Sequence, residues 1–208
     1  MQTQYPWFLS TYNSYPYNIQ RVDAVRYFIL HHFGGIYLDL DVGCLKRLDF
    51  LRQANFTAPL TYPVGISNDI MAAQKNSIFM ERAIRQLQRW NHWMFIKYIQ
   101  VMFGTGPMFL TVQYALSSRR IARDVSVIEP PTYGKYDKSG DPAFYHLHGS
   151  SWHAEDAVFI FWLDKYKFHL VAGSILIGMI LVGIQLRQRH QQRVKETAEN
   201  SIDLEKNT

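Results

Sequence analysis

Apolar and polar positions follow two different periods early in the chain. From Asn18 to Phe33 the apolar residues Ile19, Val22, Val25, Ile29 and Phe33 recur at three- and four-residue steps, which predicts a helix buried on that face. Asn18 can cap its start and Gly34-Gly35 stops it. The period then switches to two: Ile36, Leu38, Leu40 and Val42 alternate with Tyr37, Asp39 and Asp41, which predicts a strand. Further on, Ser77 can cap a helix to about Trp90, with Glu81 near its start. A second helical stretch runs from His92 to Val101. Gly104-Thr105-Gly106-Pro107 reads as a tight turn that opens a helix from Met108 to about Ser118. Val125 to Ile128 reads as a strand. Residues 1–17 read as a loop, 46–55 as a short helix or turn, 59–76 as loops and short strands, and 129–143 as a long surface loop. This mixture predicts an α/β domain with no internal repeats.

One segment lies outside that scheme. Phe168 to Leu186 carries no formal charge over 19 residues. As a helix it would span about 28 Å, close to the hydrocarbon thickness of a bilayer. Gly173, Ser174, Gly178 and Gly183 suit a membrane helix. Lys165 and Lys167 precede it, and Arg187, Arg189, Arg193 and Lys195 follow it. The expected organisation is a domain over 1–164, a transmembrane helix over 165–186 and a cytosolic tail over 187–208, by the positive-inside rule. The domain would then face a lumen, where Asn55-Phe56-Thr57 is a glycosylation sequon. Residues 1–30 contain no signal peptide, so a preceding N-terminal portion is expected.

Composition excludes some classes. The chain is 48% hydrophobic and 15% aromatic, enough for a folded core. The formal charge of +5 is spread out, with no basic helix stripe bearing aromatics, which argues against nucleic-acid binding. A mildly basic balance suits an anionic substrate or a membrane surface. The single cysteine, Cys44, excludes an internal disulfide and a cysteine-based zinc site, and reads as a small buried side chain.

The chemistry concentrates at Asp39 and Asp41. Two apart on a strand, both carboxylates lie on one face. Like charges at the end of an apolar strand call for a cation, and Mg²⁺ or Mn²⁺ takes carboxylate and phosphate oxygens. Asp23 and Arg26, three apart, share one face of the helix that runs into this strand.

The stretch Arg21 to Val42, of the form R-x-D-A-x-R-Y-x-x-L-x-x-x-G-G-x-Y-x-D-x-D-V, resembles the DxD region of glycosyltransferase family 32. Tyr5-Pro6-Trp7-Phe8, Gly65-Ile66-Ser67-Asn68-Asp69, Thr105-Gly106-Pro107 and Gly149-Ser150-Ser151-Trp152-His153 extend the likeness, particularly to the fungal branch that mannosylates inositol phosphorylceramide. The resemblance implies a partial GT-A-like domain. It implies that Asp39 and Asp41 hold the nucleotide sugar and metal, with Asp41 the direct ligand. Asp23 and Arg26 would contact the donor sugar and diphosphate, and Tyr37 would line the nucleotide pocket. Asn68 and Asp69 would lie near the mannose and acceptor, with Asp69 a candidate nucleophile. Thr105 and Gly106 would form a turn at the donor. His146 is similar in setting to the histidine that completes the metal shell in related enzymes, with His148 its rival. A zinc site made of His146, His148 and His153 fits no strong spacing.

The implied reaction is retaining, Mn²⁺-dependent transfer of mannose from GDP-mannose to inositol phosphorylceramide at the Golgi membrane, with a regulatory membrane subunit as partner. Three alternatives stand beside it. One is mannosyl transfer to a glycan core. Another is a non-catalytic paralogue or subunit, because the β-α units that bind the nucleotide base would precede Met1. The third is a HAD-type phosphatase with Asp39 as nucleophile, which leaves Asp23 and Arg26 unexplained.

Overall fold

The computed structural model describes residues 1–62, 64–137, 139–147 and 165–166. The chain divides into two compact units, Met1–Asp156 and Ala157–Thr208. The first holds all but two of the described residues. The predicted membrane segment lies outside them except for Lys165 and Tyr166. Among the described residues, no helix is long and apolar enough to cross a membrane.

The first unit opens with a 3-10 turn, Pro6–Phe8, and helix α1, Leu9–Ser14. A loop is expected over 1–17 from its Tyr, Pro, Asn and Ser content. Aromatic packing overrides that composition: the buried Phe8 ring lies 4.7 Å from the Phe28 ring, and Tyr15 is buried too. Helix α2, Asn18–Phe33, has the expected bounds, although Tyr17 rather than Asn18 occupies the N-cap position. Its buried face is not the expected one. Val22 and Phe33 are 51% and 72% exposed, while Gln20, Asp23, Ala24, Arg26, Tyr27, Phe28 and Leu30 are buried. The polar face turns inward because its charges pair there.

Gly34 ends α2 at φ 70°, with its N–H bonded to the Leu30 carbonyl at 2.9 Å. A Cβ there would stand 2.6 Å from the Lys75 backbone nitrogen, so only glycine fits this reversal. Strand β1 is Gly35–Leu38 and β2 is Val42–Cys44. The single strand expected from Ile36 to Val42 is therefore broken. Asp39 to Asp41 form a turn closed by Val42 N–H on the Asp39 carbonyl at 3.0 Å, and Leu40 is fully exposed at its tip. Cys44 is exposed, contrary to expectation.

A short 3-10 helix, Asp49–Arg52, leads to β3, Phe56–Pro59, and β4, Ile70–Ala73. Every residue of β3 and β4 is buried, so neither shows an alternating pattern. Helix α3, Ile78–Gln86, is capped by Ser77 as expected. Helix α4, Lys97–Gly104, starts later than expected, and α5, Pro107–Ala115, follows the predicted turn. Helix α6, Arg119–Arg123, and strand β5, Val125–Ile128, come next. The expected surface loop over 129–143 instead contains helix α7, Pro130–Tyr133, whose Tyr133 is fully buried. Strand β6, Phe144–His146, closes the described chain of this unit.

The main sheet has the order β1-β4-β3-β5, with β1/β4 and β3/β4 antiparallel and β3/β5 parallel. A second, two-stranded sheet pairs β2 with β6, Val42 opposite His146. One core cluster joins Phe8, Tyr27, Phe28, Phe56, Phe79 and Phe109, with Phe56 stacked on Phe79 at 4.5 Å. Another gathers Leu51, Ile70, Ile128, Tyr133 and Phe144. The turn 39–41 leaves the carboxyl end of β1 between these clusters, where α2, the 67–69 loop and α7 converge.

Candidate active site

Arg26 organises the site. It is 5% exposed, and its guanidinium reaches Asp23 Oδ1 and Asp39 Oδ1 at 3.2 Å each. It also donates to the Asn68 carbonyl at 2.9 Å and stacks over the Tyr37 ring at 4.7 Å. Asn68 Nδ2 donates to Asp23 Oδ1 and to the Tyr27 hydroxyl, both at 3.1 Å. The Tyr27 hydroxyl donates to the Thr105 carbonyl at 2.6 Å, and Thr105 Oγ1 donates to Asp23 Oδ2 at 3.1 Å. Asp23, Arg26, Asn68 and Thr105, drawn from three distant stretches of the chain, thus form one buried network. Such a network is stable only when its members are satisfied, and here both Asp23 oxygens and the Asn68 amide nitrogen have partners.

Asp39 stands at the rim of this network. Its backbone N–H donates to the Asp69 carbonyl at 2.8 Å, and its Oδ1 accepts from the Tyr37 hydroxyl at 2.7 Å. Asp41 is held differently. The bonds from Arg26 and Tyr37 go to Asp39, while Asp41 is fixed through its backbone carbonyl, which accepts from Leu147 N–H at 2.8 Å. Its partly exposed carboxylate has no hydrogen-bond or ion-pair partner among the described residues.

Asp69 is buried beside them. Its Oδ2 accepts from the Tyr133 hydroxyl at 2.5 Å and from Lys135 Nζ at 2.9 Å, while Oδ1 has no partner among the described residues. Sequence reasoning misses Tyr27, Tyr133 and Lys135. Tyr27 lies four residues after Asp23, on the same helix face, which is the signal that could have found it. Tyr133 and Lys135 carry no such signal, since they fall in a Pro- and Gly-rich stretch.

Burial sets the electrostatics. It pushes the Asp23 carboxyl up to about 7, despite Arg26 and the bonds from Thr105 and Asn68. It also raises Asp39, with Arg26 and Tyr37 opposing and the charges of Asp69 and Asp41 adding. For Asp69, burial would act the same way, but Lys135 and Tyr133 outweigh it and hold the carboxyl below its ordinary value. Burial opposes the upward shift of the Lys135 ammonium, but Asp69 overcomes it, with Tyr136 and Asp41 contributing.

A pH prediction follows from Asp23. Its folded pKa of about 7 exceeds the ordinary 3.8, so between them the folded chain binds more protons than the unfolded one. The stabilisation is therefore complete below the unfolded value and is lost as pH rises through about 7. The melting temperature should fall between about pH 4 and about pH 7, and Asp23→Asn should flatten that fall. Equal slopes in thermal melts of the two proteins would refute the assignment.

His146 occupies β6 opposite Val42, beside the turn of Asp41. Its Nε2–H donates to the Tyr133 carbonyl at 3.1 Å, and its ring packs edge-on against Tyr133 at 4.8 Å. Among the described residues, no three His, Cys, Asp or Glu side chains gather as a metal site. His146 is thus not grouped with Asp39 and Asp41 in this arrangement. The register pairs it with Val42, and its ring is committed to Tyr133. His148 and His153 lie outside the described residues. Gly106 joins α4 to α5, where a Cβ would come 2.9 Å from the Val101 carbonyl. Thr105 faces the buried network.

A family model described as "Glycosyltransferase sugar-binding region containing DXD motif" matches residues 1–57, which include Asp23, Arg26, Asp39 and Asp41. Over these residues the chain is similar to the sugar-binding region of the DXD glycosyltransferases. Inositol phosphoceramide mannosyltransferase 1 of Schizosaccharomyces pombe is 39% identical over 196 residues, 94% of this chain and 60% of that protein. Inositol phosphoceramide mannosyltransferase 3 of the same yeast is 43% identical over 182 residues, 86% of this chain and 49% of that protein. The mannosyl phosphorylinositol ceramide synthase SUR1 of Saccharomyces cerevisiae is 36% identical over 185 residues, 88% of this chain and 48% of that protein. The chain thus spans 48% to 60% of the length of these three relatives.

Proposed function

We propose that the protein transfers mannose from GDP-mannose to the inositol of an inositol phosphorylceramide, with a divalent metal, Mn²⁺ first among them. The single observation that carries this reading is the asymmetry of the DxD pair. Asp39 is tied to Arg26 and Tyr37, while the Asp41 carboxylate makes no hydrogen bond or ion pair with a described residue. Similarity to inositol phosphoceramide mannosyltransferases over most of this chain points to the sugar and the acceptor.

The residues fit a hard divalent cation. Asp41 and the second oxygen of Asp39 are hard donors, and Mg²⁺-like ions are commonly held by one or two carboxylates together with substrate phosphates. A metal held there would supply positive charge against the diphosphate leaving group. The chain's own residues would do the rest. Arg26 fixes the orientation of Asp39 and neutralises Asp23 from inside. Asp69 stays ionised, the state in which it can face positive charge developing on the transferred sugar. Lys135 has ammonium protons to spare beyond Asp69, and a phosphate oxygen of the donor would accept one.

In this proposal the domain works at the luminal face of the Golgi membrane, anchored through 165–186 and assisted by a regulatory membrane subunit. The test is titration calorimetry of the full chain with GDP-mannose, with and without Mn²⁺, followed by transfer to inositol phosphorylceramide in mixed micelles. Metal-dependent binding and a mannosylated lipid are expected. Metal-dependent binding with transfer only to a glycan core would overturn the acceptor assignment. Absence of donor binding at millimolar GDP-mannose would overturn the proposal for this chain.

A further inference from the structure

One surface of the described chain takes no part in the site or in either core cluster. Between α3 and α4, the segment Asn91-His92-Trp93-Met94-Phe95-Ile96 runs without helix or strand. Trp93 is 71% exposed and Phe95 is 89% exposed, and their rings meet edge to face at 4.4 Å. The two rings cover each other rather than the protein. The segment is nevertheless anchored at both ends. Asn91 Nδ2 donates to Ser14 Oγ at 2.9 Å, and Met94 N–H donates to Gln100 Oε1 at 3.3 Å. Lys97, the first residue of α4, lies over the Tyr17 ring at 5.5 Å. The aromatic pair is thus presented on a fixed support.

An independent observation says what it meets. From Arg82 to Arg123 the chain carries Arg82, Arg85, Arg89, Lys97, Arg119, Arg120 and Arg123, and no Asp or Glu. The aromatic segment lies inside this uniformly basic stretch, with exposed Arg89 just before it and Lys97 just after. Trp and Phe beside Lys and Arg match the two layers of a membrane interface: rings at the boundary of acyl chain and headgroup, cations against anionic phosphates. Basic groups add attraction to anionic lipid that falls off within a Debye length.

We infer that residues 91–97 form a membrane-contacting loop, with Trp93 and Phe95 entering the interface of an anionic bilayer and Arg89 and Lys97 holding its headgroups. The loop is separate from the predicted 165–186 anchor and does not depend on which acceptor the site mannosylates. Its effect would be on orientation. Helix α4, which begins at this loop, ends at Gly104, next to Thr105 of the buried network, so a loop held at the bilayer fixes one end of a rigid element of the site.

The test must report on the loop itself, since an anchor elsewhere would suffice for simple vesicle binding. In the full chain with Cys44→Ser, Trp93→Cys is labelled with an environment-sensitive NBD dye, and Arg47→Cys serves as an exposed control. Each protein is reconstituted into vesicles of phosphatidylcholine, or of phosphatidylcholine with phosphatidylserine, with and without brominated lipid. At position 93, NBD emission should rise and shift to the blue in the anionic vesicles, and brominated lipid should quench it. The control at position 47 should change in neither respect. Arg89→Glu with Lys97→Glu should abolish the gain that phosphatidylserine brings, with an unchanged melting temperature. An unquenched label at 93 in both vesicle types, or equal quenching at 93 and 47, would overturn the inference. The first of those results would also be the one expected of a loop that docks a protein.

Discussion

Replacing Asp41 by alanine is expected to lower sugar transfer by about 10²–10³-fold, the loss seen when a single group that stabilises developing charge is removed. Stability should change little. The Asp41 carboxylate is partly exposed, and the bond that fixes the turn uses its backbone carbonyl, which alanine retains. A surface substitution away from special features stays within about 0.5 kcal/mol. The prediction is therefore a split result: activity lost in a transfer assay, melting temperature preserved. A variant that unfolds, or one that transfers at the original rate, contradicts the role given to Asp41. Asn at the same position should also be weak, because a neutral amide replaces the anionic donor.

Arg26→Met should give the opposite result, a large loss of stability. The guanidinium is the countercharge for both Asp23 and Asp39, at 3.2 Å from each. Methionine fills much of the same volume and leaves two carboxylates facing each other without a cation. Breaking a buried pair in this way costs about 3–5 kcal/mol. For a domain of this size that lowers the melting temperature by roughly 6–20 °C. Arg26→Lys should recover only part of the loss, since an ammonium cannot fork between two carboxylates and the Asn68 carbonyl. The defect of Arg26→Met should also ease toward acid pH, where Asp23 takes up its proton, and chemical denaturation at two pH values measures this. A defect of equal size at both would mean that Asp23 is not the group left uncompensated.

These two residues show how differently nearby charges can serve one site. Arg26 is buried, and both of its terminal nitrogens are bonded within the protein, so its main effect is to set the orientation of Asp39 and the ionisation of Asp23. The resemblance to glycosyltransferase family 32 implies instead that Arg26 contacts the donor diphosphate. Lys135 is better placed for that contact, being partly exposed and tied to a single carboxylate oxygen.

Much of the site is legible in the chain's local patterns. The helix over 18–33, its stop at Gly34-Gly35 and the pairing of Asp23 with Arg26 follow from local rules: periodicity, glycine freedom and i,i+3 geometry. The resemblance of Arg21 to Val42 to a known sugar-transferase region supplies the class. Periodicity misplaces the helix's inner face because it counts apolar residues, whereas burial here is decided by where the charges find partners. The strand is mistaken for a related reason. Alternation from Ile36 to Val42 looks continuous, but β4 supplies backbone partners only as far as Leu38, opposite Ile70. Beyond it, Asp39 N–H turns to the Asp69 carbonyl, and the chain reverses direction.

By itself, then, the sequence determined the helix that carries Asp23 and Arg26, the identity of the DxD carboxylates and the family that they resemble. Only the tertiary structure decided what each carboxylate is free to do. Asp39 is occupied by Arg26 and Tyr37, Asp69 by Tyr133 and Lys135, and Asp41 by nothing among the described residues. Those partners come from chain segments up to 66 residues away, as between Asp69 and Lys135, and no local pattern encodes a contact of that range. The physical reason is that propensity and periodicity act over a few residues, while the ionisation and availability of a buried charge depend on every element folded around it.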